Sequence, residues 1–312
     1  MANDNELQSA KDLVRLLKNK ENLTYDLFQK HPDYEAEVRK RIEALGYNYD
    51  EVANAEKAEA ILDHLWEDIL SILNQEDASR LMNEVAIGLV NSPLNRARVE
   101  QGKAIIINYG LLTFLNQSTK YKIAAHEPQH VTFCDRVDPS RLTTEIVNLF
   151  YAELVMNYRE KNVPVGPLIL LDNESELLRG DYLYVKELFI VSHELAHILL
   201  NHTERSHFAE FQADHLAYQI VREVLAKTRE GLNGKFLLVT LTDLFIDMQH
   251  LSGTQISETH PPAVSRLLHI TREFYGDELA EAMKKYLMNI DSEEYEKLLS
   301  LMPDYGCGTT VG

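Results

Sequence analysis

The sequence predicts an α+β fold that is mainly helical, and three observations carry that prediction. Apolar residues recur at helical spacing through most of the first ninety positions and again from Asp181 to the C-terminus. Between them, Ala104-Ile105-Ile106-Ile107 is an apolar β-branched run that reads as strand. No internal repeat or low-complexity tract breaks the pattern. At 312 residues and 45% hydrophobic content the chain can bury a sizeable core. We expect a helical region over residues 1–92 and a second domain over 93–312, divided near Asn91-Ser92-Pro93.

Taken in order, Leu13, Val14, Leu16 and Leu17 form one apolar stripe. Pro32 opens a second helix that should run to Leu45 and stop at Gly46. Ile61, Leu62, Leu65, Trp66, Ile69 and Leu73 define a third. Arg96-Ala97-Arg98-Val99 is expected to pair with Ala104–Ile107 as a hairpin across the polar turn Glu100-Gln101-Gly102. Helix resumes at Gly110-Leu111-Leu112 and again over 143–160, and Val131-Thr132-Phe133-Cys134 looks extended.

The formal net charge of −18 argues against a nucleic-acid backbone or an anionic membrane as the main partner, because both select basic patches. Two cysteines, Cys134 and Cys307, offer no disulfide framework and no CxxC metal site. The start, Met1-Ala2-Asn3-Asp4-Asn5-Glu6, lacks the features of a signal peptide. No apolar stretch approaches the roughly 18 residues of a membrane span. We expect a soluble, cytoplasmic protein.

The chemistry is concentrated in His193-Glu194-Leu195-Ala196-His197 and the following Glu210-Phe211-Gln212-Ala213-Asp214. Positions i and i+4 lie on one face of a helix, so His193 and His197 point the same way. Two imidazoles on a rigid helix supply two of the three protein ligands of a catalytic zinc. Glu194, one residue on, is placed to take a proton from water at such a site. The apolar flanks Leu188-Phe189-Ile190-Val191 and Ile198-Leu199-Leu200 argue for a buried helix, in which two histidines and a glutamate must be satisfied.

For the third ligand Glu204, His207, Glu210 and Asp214 all follow within reach and His202 sits at the end of the same helix; the spacing favours Glu210. Asn201–Arg205 reads as a turn, and apolar spacing from about Ser206 defines a second helix on which Glu210 and Asp214 share a face. Asp214 is then placed to accept from the outer nitrogen of His193 and fix its tautomer. His207 remains a substitute ligand. A metzincin pattern fails, because its third histidine would fall on Thr203 and its glycine on Leu200, leaving His202 one residue out of register. His126-Glu127-Pro128-Gln129-His130 also fits HExxH as a string, but Pro128 prevents a regular helix and no acidic helix follows.

These motifs, with Thr259-His260-Pro261-Pro262 and Arg266, resemble the gluzincin zinc metallopeptidases of the prenyl-protease and heat-shock membrane-protease superfamily. Ala104–Leu112 resembles the strand and helix that precede the metal helix there. Those relatives span membranes. The absence of a span here, the short spacing from His197 to Glu210 and the THPP segment are more similar to the Lit-type phage-exclusion peptidases. The resemblance covers about residues 95 to 275. It implies a zincin-like domain with a small sheet beside the metal helices, one Zn2+ per chain held by His193, His197 and Glu210, and hydrolysis of peptide bonds in a protein or peptide substrate with Glu194 as general base.

It further suggests His260 as a donor to the oxyanion formed on the scissile carbonyl. Arg266 is a candidate for fixing that loop or binding a substrate carboxylate; Tyr218, Tyr182 and Tyr184 are further candidate oxyanion donors. An unpaired strand edge within Arg96–Ile107 would suit an extended substrate. The competing reading is a catalytically silent or latent metal-stabilised module that binds a protein partner. Glu194 favours the enzyme, since a purely structural zinc needs no base.

Overall fold

Ser9 starts the first helix, α1 (Ala10–Glu21): its Oγ accepts from the Asp12 amide at 3.1 Å. The buried face carries Ala10, Leu13 and Val14, while Leu16 is half-exposed. α2 (Pro32–Ala44) opens on the expected proline; Leu45 and Gly46, the expected stop, lie outside the described residues. After α3 (Tyr49–Val52), α4 (Glu56–Ser71) buries Leu62, Leu65 and Ile69, and Asn74 caps α5 (Gln75–Glu84) by accepting from the Asp77 amide.

The computed structural model describes residues 9–21, 32–44, 48–52, 56–161, 166–204, 206–229, 231–252 and 260–289. The protein is mainly helical with small sheets. It divides into two compact units, one over Met1–Trp66 and Arg80–Tyr184, the other over Glu67–Ser79 and Val185–Gly312. Residues 92 and 93 fall within the first.

In the first unit β1 (Ala86–Val90), β2 (Ala97–Glu100) and β3 (Ala104–Asn108) form a sheet in the order β1-β3-β2. The hairpin matches expectation, with Ala97 opposite Ile107 and Glu100 opposite Ala104. Gln101 and Gly102 both take positive φ, 51° and 64°, as a tight hairpin turn requires. Two features differ from the sequence reading. Ala86–Val90, placed among helices, is a strand parallel to β3, because a five-residue apolar run has no length to reveal its period. β3 is paired on both sides and buried throughout, so within Arg96–Ile107 the outer strand, among the described residues, is β2 and not Ala104–Ile107. α1 packs on this sheet through Ala86, Val90, Ala104 and Ile106. Gly88 permits the approach, since a Cβ there would strike the Val14 side chain.

α6 (Tyr109–His126) and α7 (Thr144–Lys161) pack together, with Phe114 edge-on to Tyr158 at 5.0 Å. β4 (Val131–Cys134) pairs antiparallel with β5 (Ile169–Leu171). The second HExxH string is split: His126 ends α6, and Pro128–His130 forms a 3-10 turn. His130 instead bonds Asp172 through Nδ1 at 2.5 Å and Glu127 through Nε2 at 2.8 Å. Asp172 also accepts from the Ser175 amide, capping α8 (Asn173–Leu199), a helix whose residues up to Tyr184 belong to the first unit and whose remainder belongs to the second.

This pair carries a pH signature. The bond to Asp172 raises His130 above its ordinary 6.5, while the Ser175 amide and then His130 lower Asp172 to about 2. A raised histidine stabilises below its unfolded pKa and loses this as pH rises through the folded value; a lowered aspartate stabilises above its unfolded 3.8 and loses this as pH falls towards about 2. His130→Ala should therefore lower the melting temperature most at about pH 5.5 and less at about pH 9. Thermal melts at both values check this, and a gap independent of pH would refute it.

The second unit contains the rest of α8, then α9 (His207–Thr228), α10 (Gly234–Ser252), α11 (Ala263–Tyr275) and α12 (Asp277–Asn289). Leu188, Phe189, Leu195, Ala213, Leu241, Phe245 and Leu267 are buried in it, and Phe189 meets Phe245 edge-on at 5.7 Å. No described helix is long and apolar enough to cross a membrane.

Candidate metal centre

The helix is buried at Leu188, Phe189, Val191, Leu195 and Ala196, which fixes the face carrying His193 and His197, whereas Leu199 and Leu200 of the expected second flank are exposed where the helix ends. α8 then ends in a Schellman turn. Asn201 adopts φ 54°, its amide reaches the Ile198 carbonyl at 3.0 Å, and the His202 amide reaches the His197 carbonyl at 3.0 Å. Asn tolerates that left-handed conformation better than most residues. The chain re-enters helix at Ser206, whose Oγ accepts from the Ala209 amide at 3.2 Å. Glu210 and Asp214, one turn apart on α9, are both buried, and Ala213 between them is fully buried.

These elements bring His193, His197 and Glu210 together, with one ligand atom of each within 4.8 Å of the others. The two Nε2 atoms are 3.1 Å apart. Glu210 Oε2 lies 3.5 Å from His193 Nε2, and Oε1 lies 3.6 Å from His197 Nε2. Both outer nitrogens are engaged elsewhere: His193 Nδ1 is 2.9 Å from Asp214 Oδ1, and His197 Nδ1 is 2.8 Å from His202 Nδ1. Asp214 thus contacts His193 as the spacing anticipates.

Arg266 lies within this cluster. It is 4% exposed, donates Nε to Asp214 Oδ2 at 2.7 Å and Nη2 to Asp214 Oδ1 at 2.6 Å, and sets Nη1 3.5 Å from Glu210 Oε2. Its pKa is raised: burial opposes the charge, but Asp214 outweighs it, with Glu210 and Glu194 adding to the effect. Burial would likewise keep the two acids neutral, yet both are held at about 2, Glu210 by His193 and Arg266, and Asp214 by Arg266 and His193. His193 is raised to about 9 against burial by Asp214 and Glu210, whereas burial and the nearby His193 charge push His197 down to about 4. Two ionised carboxylates against one guanidinium favour positive charge where the imidazoles meet.

The donor set fits a divalent ion. Donors bonded tetrahedrally at about 2.0–2.1 Å stand about 3.3 Å apart; the two imidazole nitrogens are 3.1 Å apart, and Glu210 sets one oxygen 3.5 Å from His193 Nε2 and the other 3.6 Å from His197 Nε2. Glu210 Oε2 is buried without a hydrogen-bond partner, a cost that coordination would remove.

The other candidate residues divide. Glu194 follows His193 on α8 and is partly exposed. His260 is about half-exposed and places Nε2 3.4 Å from Glu210 Oε1; Thr259 lies outside the described residues. Tyr218 is 1% exposed and bonds the Tyr275 hydroxyl, which donates to the Gly234 carbonyl at 2.9 Å. Tyr275 has one proton and gives it to Gly234, so Tyr218 is the donor in their shared bond. Tyr182 and Tyr184 fall in the first unit. Glu204 and His207 are exposed and outside the cluster. His202, weighed as a ligand from the sequence and set aside, and Gln212, not anticipated, meet beside the cluster: His202 Nε2 is 3.3 Å from Gln212 Oε1. The available signal was Asn201, a residue suited to a left-handed helix end that folds His202 back on His197.

Residues 173–285, just over a third of the chain, match the model of a family described as Peptidase U49. The matched segment contains all of α8 through α11 and every residue of the cluster. No curated protein and no solved structure matches the chain. The family match supports peptidase chemistry in general and, with it, a protein substrate.

Proposed function

We propose that the chain is a zinc-dependent endopeptidase that hydrolyses peptide bonds of a protein or peptide substrate. The observation that carries this is the triad His193, His197 and Glu210, which brings one ligand atom of each within 4.8 Å of the others and leaves Glu210 Oε2 buried without a hydrogen-bond partner. The match of residues 173–285 to a peptidase family supports the same reading. A zinc ion bound there supplies Lewis acidity, polarising a carbonyl and acidifying water.

The chain's own groups perform the proton transfers. Glu194 takes the proton of the attacking water and returns it to the leaving amine. Asp214 accepts from His193 Nδ1, which keeps Nε2 as the inward lone pair. His260, partly open to solvent beside Glu210, donates to the oxyanion developing on the scissile carbonyl.

Metal analysis of the purified full-length protein tests the reading. One zinc per chain is expected in wild type, and Glu210→Ala should lose most of it. Zinc at about 100 times its Kd stabilises the folded protein by about 2.7 kcal/mol, so chelation should lower the melting temperature of wild type but not of Glu210→Ala. Unchanged zinc content in Glu210→Ala would remove Glu210 as a ligand. Comparing new protein N-termini in cells carrying wild type or Glu194→Gln would then identify the substrate.

A further inference from the structure

We infer that His202 is a positioning residue that fixes the tautomer of His197, with Gln212 fixing His202 in turn. The inference rests on the metal-site reading above. For Nε2 of His197 to face His193 and Glu210 as a lone pair, its proton must sit on Nδ1. The atom 2.8 Å from that Nδ1 is Nδ1 of His202, which must therefore accept. A neutral imidazole accepting at Nδ1 carries its proton on Nε2. That Nε2 lies 3.3 Å from Gln212 Oε1, an acceptor. Each step leaves one choice for the next, and the sequence Gln212, His202, His197 closes without a donor facing a donor or an acceptor facing an acceptor.

The backbone builds this contact. The Schellman turn carries the His202 amide to the His197 carbonyl, so the two residues are tied at main chain and side chain, with ring centroids 5.0 Å apart and planes at 68°. Gln212 stands two residues after Glu210 on α9, so the relay links both helices that supply ligands. The two histidines are thus supported differently. His193 is backed by a carboxylate that is itself held by Arg266, and His197 by a neutral imidazole half-open to solvent. A neutral acceptor polarises its ligand less than a carboxylate does, so the role of His202 is orientation more than charge.

The test is cobalt(II) binding to the full-length protein, read by its visible ligand-field spectrum and by competition with a chelator. His202→Leu removes the acceptor; His202→Asn keeps one, its Oδ1 standing near the original Nδ1. We expect His202→Leu to weaken cobalt binding about 10- to 100-fold and shift the spectrum, and His202→Asn to stay within about threefold of wild type with the wild-type spectrum. Gln212→Leu, at an exposed position, should weaken binding by less in the same direction. Wild-type affinity and spectrum in His202→Leu would overturn the relay while leaving the metal site standing. Equal losses in His202→Leu and His202→Asn would also overturn it, since a merely structural imidazole gives that result. No cobalt binding by wild type would overturn the metal site and the relay together, and an unchanged Gln212→Leu would overturn the part assigned to Gln212.

Discussion

Glu194→Gln is expected to lose about 10²- to 10⁴-fold in turnover while binding zinc as wild type does. The amide is isosteric with the carboxylate but cannot take the proton of water, so only the proton-transfer contribution disappears. Glu194 is not one of the three clustered ligands, so the metal content should stay that of wild type. Three measurements on one sample separate the outcomes: metal stoichiometry, thermal melting, and cleavage of a substrate identified from new N-termini. Retained turnover in a metal-replete sample refutes the general-base role. Loss of metal with loss of turnover would instead make Glu194 a ligand. A wild type that binds zinc and cleaves nothing would favour the silent or latent binding module.

The fold and the centre were legible to different depths. Long amphipathic segments announced themselves, because over a dozen residues the 3.6-residue period has room to show; the ranges of α1, α4 and α7 follow their apolar spacing closely. Two short strands did not: Ala86–Val90 and Ile169–Leu171 are apolar throughout and contain no period to read. β3 was recognised as strand, but its central place was not, since pairing on both sides is a property of the sheet order and not of the segment. At the centre, residues tied to one another by helical spacing were found, namely His193 with His197 and Glu210 with Asp214. From these the approach of Glu210 and Asp214 to the two histidines was anticipated, but the contacts of Arg266 and His202 were not. Arg266 lies 52 residues from Asp214 in sequence, and nothing local distinguishes a guanidinium buried against a carboxylate from one in water. His202 was weighed as a ligand and set aside on register, yet the turn that breaks the register is what returns it to His197. The rejection of His126–His130 rested on Pro128 and on the lack of a following acidic helix, and the proline rule held because it concerns local backbone geometry.

Arg266→Met should cost about 3–5 kcal/mol, the largest stability effect expected of a single substitution at this centre. Asp214 is fully buried and receives two charge-assisted bonds from the guanidinium; without them it keeps only His193 Nδ1, and a buried carboxylate is left largely uncompensated. Methionine fills similar space beside Phe245, so little of the loss is packing. Arg266→Lys should not restore stability, because an ammonium is a point donor and cannot serve both Asp214 oxygens at Nε and Nη2 spacing. Denaturant unfolding of wild type, both single variants, Asp214→Asn and the Asp214→Asn/Arg266→Met pair checks the argument. The double variant should lose clearly less than the two singles together, since removing both charges leaves none unpaired. A substrate-binding arginine predicts the opposite profile: unchanged unfolding, additive singles and a raised KM. The difference is physical, because a guanidinium that served substrate alone would add nothing to folding, whereas Arg266 donates to the carboxylate that holds His193.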